Sequence, residues 1–267
     1  MRPLIDADIL LYEIGFASEA KWKEMEGTPP FDVAAELLDE RVAFICAQVG
    51  ATEAPTLYLT GRHNFRNQIA KFRPYKERLG NKPFHYYNLK AYIQGKYDWK
   101  MVDGLEADDL LAIEQTRCNE MSYHHRTIIC SRDKDLLQVP GLHYVWELGK
   151  QPSFGPHLVD EFGKIELIQK PQSNKLKGYG ELFFYAQCLT GDSVDTVPGL
   201  PKCGPVKAFK LLGNTKTPLE AFEAVVEAYR ASYGGLGDDM LLEQGRLLRM
   251  VRELNEDGSP KLWEFPY

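Results

Sequence analysis

The 267-residue chain has no long apolar run, no paired cysteine spacing and no surplus of positive charge. Each absence excludes something. Without some 18 consecutive apolar residues there is no membrane-spanning helix to expect, and the opening Met-Arg-Pro-Leu-Ile-Asp enters structure without a signal peptide. Cys46, Cys118, Cys130, Cys188 and Cys203 are scattered, so neither a zinc module nor a disulfide framework is indicated, and a reducing cytoplasm is the natural setting. A net charge of −6 argues against a uniformly basic nucleic-acid binder, although the distribution of charge matters more than its total. What the chain does have is 44% hydrophobic and 26% charged residues, the composition of a globular protein able to bury a large core.

The apolar pattern alternates between strand-like and helix-like periods over the first part of the chain. Strands are expected at Pro3–Ile5, Thr56–Thr60, Trp99–Val102, Arg126–Cys130 and His143–Glu147, with helices across Val33–Val49 and Tyr86–Tyr97. That order is the signature of an α/β fold with a mainly parallel sheet. After a turn-rich connection near Gly149–Pro156 the pattern reads as wholly helical, with a buried helix at Leu182–Leu189 and two amphipathic helices running to Arg252. The expected domains are therefore 1–160 and 161–267.

Acidic residues gather at the joints of this pattern. Asp6 and Asp8 end the first strand, Glu106, Asp108 and Asp109 open a helix anchored by Leu110 and Leu111, Asp133 and Asp135 follow the fourth strand, and Asp192 and Asp195 lie three apart near a Gly/Pro-rich turn. Helix capping and the helix dipole account for any one of them, at roughly 0.3–1 kcal/mol each. They do not account for the set. Asp6, the Glu106 group, Asp133 with Asp135 and Asp192 with Asp195 make eight carboxylates that repel one another without a cation, and all-oxygen ligation suits Mg²⁺ or Mn²⁺. Setting those eight aside leaves 30 acidic against 32 basic residues, about +2, which lifts the charge objection.

Two stretches carry the cations. In residues 62–82, Arg62, Arg66, Lys71, Arg73, Lys76, Arg78 and Lys82 are opposed only by Glu77 and interleaved with Phe65, Phe72 and Tyr75. Such a mixture suits single-stranded nucleic acid, and it equally describes a solvated helix face with half-buried rings. Around 191–212, Pro198-Gly199, Pro201 and Gly204-Pro205 build a turn between helices, with Lys202, Lys207 and Lys210 beside a helix N-terminus able to meet a phosphate. The alternative there is an ordinary helix connection.

Leu4-Ile-Asp-Ala-Asp8, Gly104-Leu-Glu-Ala-Asp-Asp109, Ser131-Arg-Asp-Lys-Asp135 and Gly191-Asp-Ser-Val-Asp-Thr-Val-Pro-Gly199 resemble, in this order, the motifs of the flap endonuclease and 5′-to-3′ exonuclease family. The likeness is to a bacteriophage-type member and to the 5′-nuclease domain of bacterial DNA polymerase I. It implies a PIN-like 5′-nuclease core with a central mainly parallel sheet, an arch or clamp at 62–82, and a helical helix-three-turn-helix region around 191–212. It further implies a Mg²⁺-dependent structure-specific nuclease using two ions, acting as a monomer in a cytoplasm, that of the host for a phage protein. Asp6, Glu106, Asp108 and Asp109 resemble ligands of the first ion, Asp133 stands at or near both, and Asp135, Asp192 and Asp195 resemble those of the second. Lys76 matches the arch lysine at the scissile phosphate, Arg78 approximates the accompanying arginine, and Tyr75 is a stacking platform. Arg62, Arg66, Lys71, Arg73, Gly199, Lys202, Gly204 and Lys207 are expected DNA contacts, with the main chain of Val197 and Leu200 holding K⁺. The implied partner is DNA with a 5′ end, flap or single-strand/duplex junction. RNA–DNA hybrids, or DNA binding without catalysis in a replication factor, are the alternatives. This chain departs from the pattern at Thr60, where relatives carry a further acid, so the first ion would draw on waters or Asp8.

Overall fold

The structure is a computed structural model and describes residues 1–23, 27–76, 80–121, 126–169, 171 and 173–266. The chain runs β1 (Arg2–Asp6), α1 (Ala7–Trp22), α2 (Phe31–Gln48), β2 (Thr56–Tyr58) and the single-turn α3 (Arg66–Ile69). It continues through α4 (Tyr86–Lys96), β3 (Asp98–Lys100), α5 (Ala107–Glu120), β4 (Thr127–Cys130), a 3-10 turn at Lys134–Gln138 and β5 (Gly141–Val145). Then come β6 (Phe154–Val159), β7 (Lys164–Ile168), β8 (Lys175–Tyr179), α6 (Gly180–Thr190), α7 (Pro205–Leu212), α8 (Pro218–Tyr233) and α9 (Gly237–Leu248).

The chain divides into two compact units. The first comprises residues 1–62, 80–134 and 141–158, and holds a six-stranded sheet in the order β3-β2-β1-β4-β5-β6. β1 pairs in parallel with β2 and β4, β2 with β3, and β4 with β5. Every residue of β2 and β4, and Pro3 to Asp6 of β1, is buried, as expected for strands covered on both faces. Ile5, Leu57, Ile128 and Cys130 pack with Leu10, Leu38, Ile45 and Ile93 of the helices in one core. Parallel pairing sets the ends of β1, β2 and β4 in register, with Ile5 opposite both Leu57 and Cys130. The residues leaving those strands, Asp6, Thr60 and Ser131, consequently emerge at one edge of the sheet.

The second unit comprises residues 63–79, 135–140 and 159–267. Its core joins Phe184, Tyr185 and Leu189 of α6 to Phe222 and Val225 of α8 and Leu241 of α9, with Tyr75 buried among them. Residues 63–79 and 135–140 group with the later part of the chain, where Phe65, Arg66 and Tyr75 are buried. One expectation is corrected here: the stretch beyond the Gly149–Pro156 connection is not wholly helical, since β7 and β8 form an antiparallel ribbon and β6, which begins within that connection, joins the main sheet. Ile165 and Leu167 alternate with Lys164 and Glu166, a two-residue period half hidden by charge. Among the described residues, no helix is long and apolar enough to cross a membrane.

Candidate functional site

In the first unit, Asp6 caps α1 by accepting the Ile9 N–H at 3.3 Å, and it also accepts from the Ser131 hydroxyl at 2.7 Å. Ser131 in turn accepts the Asp133 N–H at 2.9 Å, so one hydroxyl joins the Asp6 carboxylate at the end of β1 to the backbone of Asp133 after β4. Asp8 accepts the Thr60 N–H at 3.2 Å, while the Thr60 hydroxyl accepts the Ala107 N–H at 3.0 Å where α5 begins. Lys90 donates to the Thr60 carbonyl at 3.3 Å. Thr60, standing where the resemblance leads one to expect an acid, thus ties Asp8 to the start of the acidic helix. Ser131 and Lys90 were not singled out in the sequence, and Thr60 was noted only for the acid it replaces; the signal for the two hydroxyls is their place at a strand end beside carboxylates.

The expectation that the dipole alone cannot explain Glu106 and Asp109 needs refining. Both take part in a capping box at α5: the Glu106 side chain accepts from the Asp109 backbone, and the Asp109 carboxylate accepts the Glu106 N–H at 3.3 Å. They are nevertheless buried, Asp109 completely, while Asp108 and Asp133 are partly exposed. The electrostatics show that these groups share a neighbourhood. Burial, then the charges of Asp8 and Asp133, push the Asp6 carboxyl up to about 7 against the help of Ser131. Burial and Glu106 also raise Asp8, opposed by Thr60 and Lys90. Neighbouring carboxylates whose charged forms disfavour one another are a set that a bound cation would relieve. The donors are all oxygen, which fits a hard divalent ion. Among the described residues, no three His, Cys, Asp or Glu side chains close around a single point.

In the second unit, Asp135 is buried and accepts from the Gln187 amide at 2.5 Å. The Gln187 oxygen accepts from Gln138 at 2.8 Å, and Gln138 donates to the Leu248 carbonyl at 2.9 Å. This relay of amides was invisible in the sequence, because its members lie far apart along the chain. Asp192 accepts the Val194 N–H at 2.8 Å and pairs through its backbone with Val197. Asp195 accepts from the Tyr75 hydroxyl at 3.2 Å and lies 3.6 Å from the Lys76 ammonium. Lys76, held at φ 48°, is therefore a neighbour of the last acidic pair, and its N–H bonds the Asp195 carbonyl at 3.2 Å.

Several predicted nucleic-acid contacts change. Arg66 is 1% exposed, its guanidinium donating to the carbonyls of Leu247 and Arg249 and lying against the Phe65 and Tyr75 rings. It closes the end of α9 and is not on the surface. Tyr75 is likewise buried, 6% exposed, so it is no open stacking platform. The Gly199 N–H is taken by Gln244 at 2.7 Å and so is not offered to a phosphate. Gly191 and Gly199 have φ near 70°, and a Cβ on either would meet backbone within 2.4 Å. The backbones of this turn touch. The Val197 carbonyl accepts from Asp192 and that of Leu200 from Cys203. Arg62, Lys71, Arg73, Lys202, Gly204 and Lys207 are exposed, with Pro205 opening α7. Arg78 lies outside the described residues.

No protein-family model matches the chain. It is 33% identical over 134 residues to DNA polymerase I of Rhizobium leguminosarum, a match covering 48% of this chain and 12% of that protein. It is 26% identical over 167 residues to the 5′-3′ exonuclease of Buchnera aphidicola subsp. Schizaphis graminum, covering 58% and 50%. The chain thus spans at most half the length of these curated relatives. Among solved structures, T5 5′-exonuclease with bound zinc aligns with a TM-score of 0.61 at 14% identity over 93% of this chain and 89% of that one. The bacteriophage T5 flap endonuclease in a complex with DNA and metal ions aligns at 0.53 and 13%, over 92% and 98%. The fold is that of the 5′-nucleases. The sequence relatives, each matched over only part of its length, are a DNA polymerase I and a 5′-3′ exonuclease.

Proposed function

We propose that this protein is a divalent-metal-dependent, structure-specific 5′-nuclease that hydrolyses DNA phosphodiesters near a 5′ end, flap or junction. The observation that carries the reading is the gathering of Asp6, Asp8, Glu106 and Asp133 at one sheet edge, tied together through Ser131 and Thr60 and close enough that their charges raise the Asp6 and Asp8 carboxyls, in the fold of proteins crystallised with metal ions and DNA. Asp6, Glu106, Asp108, Asp109 and Asp133 would hold one ion, with Asp8 in support, and Asp135, Asp192 and Asp195 a second. Mg²⁺ or Mn²⁺ suits these oxygen donors, and bound ions would neutralise the phosphodiester and acidify a water.

The protein's own residues do the rest. Ser131 and Thr60 orient carboxylates, and the amide relay through Gln187 fixes Asp135. Lys76, beside Asp195, is placed to counter charge on the reacting phosphate. Exposed Arg62, Lys71 and Arg73 suit a single strand. Lys202, Lys207 and the N-terminus of α7 at Gly204 suit the duplex backbone, with K⁺ at the Val197 and Leu200 carbonyls.

The test is cleavage of end-labelled 5′-flap DNA, blunt duplex and RNA–DNA hybrid in Mg²⁺, comparing the native protein with Asp133→Asn. The expected result is flap cleavage that the substitution lowers on the order of 10²-fold or more. Undiminished cleavage by Asp133→Asn, or DNA binding with no hydrolysis in Mg²⁺ or Mn²⁺, overturns the proposal. Preferential cleavage of the hybrid would reassign the substrate.

A further inference from the structure

The first unit carries a cluster of aromatic rings that the proposed chemistry does not use. Phe16 of α1, Phe84, and Tyr87 of α4 are 46%, 59% and 67% exposed. Tyr12 and Tyr86 join Phe16 and Tyr87 into a row: ring centroids are 6.3 Å apart for Phe16 and Tyr12, 5.2 Å for Tyr12 and Tyr86, and 5.2 Å for Tyr86 and Tyr87, while Phe84 lies 4.9 Å from the His85 ring. Phe84 is drawn to α1 by its N–H, which donates to Glu19 at 2.5 Å. Lys82 lies over both Tyr86 and Tyr87, at 4.4 and 4.7 Å from their centroids, and donates to the Tyr87 hydroxyl at 3.0 Å.

The row is supported from within. His85 is buried and bonded to the Pro29 carbonyl at 2.6 Å, and Leu89 and Ile93 root α4 in the core. The three exposed rings are consequently held outward on a fixed base. Exposed aromatics on a fixed base bury apolar area when a flat partner arrives and lose little conformational entropy in doing so. The row also leads to the carboxylates: after burial, the Asp8 charge is what most raises the Tyr86 phenol.

We propose that Phe16, Phe84 and Tyr87 with Lys82 form a stacking platform for the unpaired nucleotides of a 5′ arm. This rests on the nuclease reading. Each base offers a flat π-face whatever its identity, and Lys82 supplies a cation for the phosphates between bases, so the platform binds single strand without reading its sequence. The cation laid across the rings favours a partner that carries negative charge beside flat faces, as a nucleotide chain does.

The probe is a duplex with an unpaired 5′ arm carrying 2-aminopurine, titrated in EDTA so that nothing is cut, beside a blunt duplex of the same sequence. The native protein is expected to bind the armed duplex more tightly and to quench the 2-aminopurine by stacking. Tyr87→Ala and Phe84→Ala should each weaken the arm-dependent part of binding about tenfold and reduce quenching, with blunt-duplex affinity shifting less than twofold. Tyr87→Phe, which keeps the ring, should behave as the native protein. Native-like binding and quenching by both alanine variants would overturn the platform, and so would a native protein indifferent to the arm; either result would leave these rings to a protein partner. Flap cleavage in Mg²⁺, measured in parallel, separates the two ideas. Cleavage with no effect of the ring substitutions removes the platform alone, and absence of cleavage with any substrate removes the nuclease reading beneath it.

Discussion

Replacing Arg66 decides between two roles for one residue. Read as sequence, Arg66 sits in the most basic stretch and belongs on DNA; in the structure it is 1% exposed and serves the end of α9. Its Nε donates to the Leu247 carbonyl at 2.9 Å and its Nη2 to the Arg249 carbonyl at 3.0 Å, both acceptors that a helix end leaves without intrahelical partners. Arg66→Ala orphans these oxygens at roughly 1–3 kcal/mol each, and removes the packing against the Phe65 ring at 4.6 Å. Relief from burying a guanidinium returns part of that, leaving a loss of roughly 3 kcal/mol. Arg66→Lys is the informative companion. Lysine keeps the charge and loses the fork, so a surface phosphate contact would survive it and a helix clamp would not. The assay is urea denaturation with the slope held common, alongside oligonucleotide affinity at two salt concentrations. The expected result is that both variants lose stability while affinity per folded molecule holds. A stability change below about 1 kcal/mol, with weakened salt-dependent binding restored by lysine, would refute the reasoning.

Two further tests follow from the packing. Burial opposes the charge on Glu114, but Lys100, Arg117 and Arg2 prevail and hold its carboxyl down to about 2 from 4.5. A depressed carboxyl stabilises the fold fully above about 4.5 and loses that contribution as pH falls toward 2. Glu114→Gln should therefore cost about 1–2 kcal/mol at pH 7, discounted because Lys100 and Arg117 are 45% and 59% exposed, and the gap should narrow through that window in acid denaturation. Gly191→Ala, at φ 71° with its Cβ 2.4 Å from the Val197 carbonyl, should cost more than about 2 kcal/mol by thermal unfolding, whereas Gly258→Ala, at φ 82° in open space, should cost about 1.

Much of the first unit was legible. Buried strands such as Thr-Ile-Ile-Cys at β4 announce themselves by continuous apolar character, and strand ends locate Asp6, Asp133 and the Glu106 helix because parallel pairing sends successive strands to one edge. What was not legible depends on partners distant in sequence. Arg66 and Tyr75 have the composition of a nucleic-acid surface, and only the arrival of α9 and α6 makes them interior. Gln138 and Gln187 have no local signature at all, since an amide becomes a positioning group only when another amide stands opposite. Glu106 and Asp109 stand out in the sequence as acids at a helix start, and their capping box shows the ordinary helix explanation operating beside the proposed one.

The second unit is assembled from three separated lengths of chain, 63–79, 135–140 and 159–267. During synthesis this has a consequence of timing. Arg66 leaves the ribosome some 180 residues before its acceptors at Leu247 and Arg249, which at 5–20 residues per second is roughly 10–35 s. Through that interval Phe65, Arg66 and Tyr75 wait without their final neighbours, a loop closure late enough to govern how fast the nascent protein becomes native and how long a chaperone has something to hold.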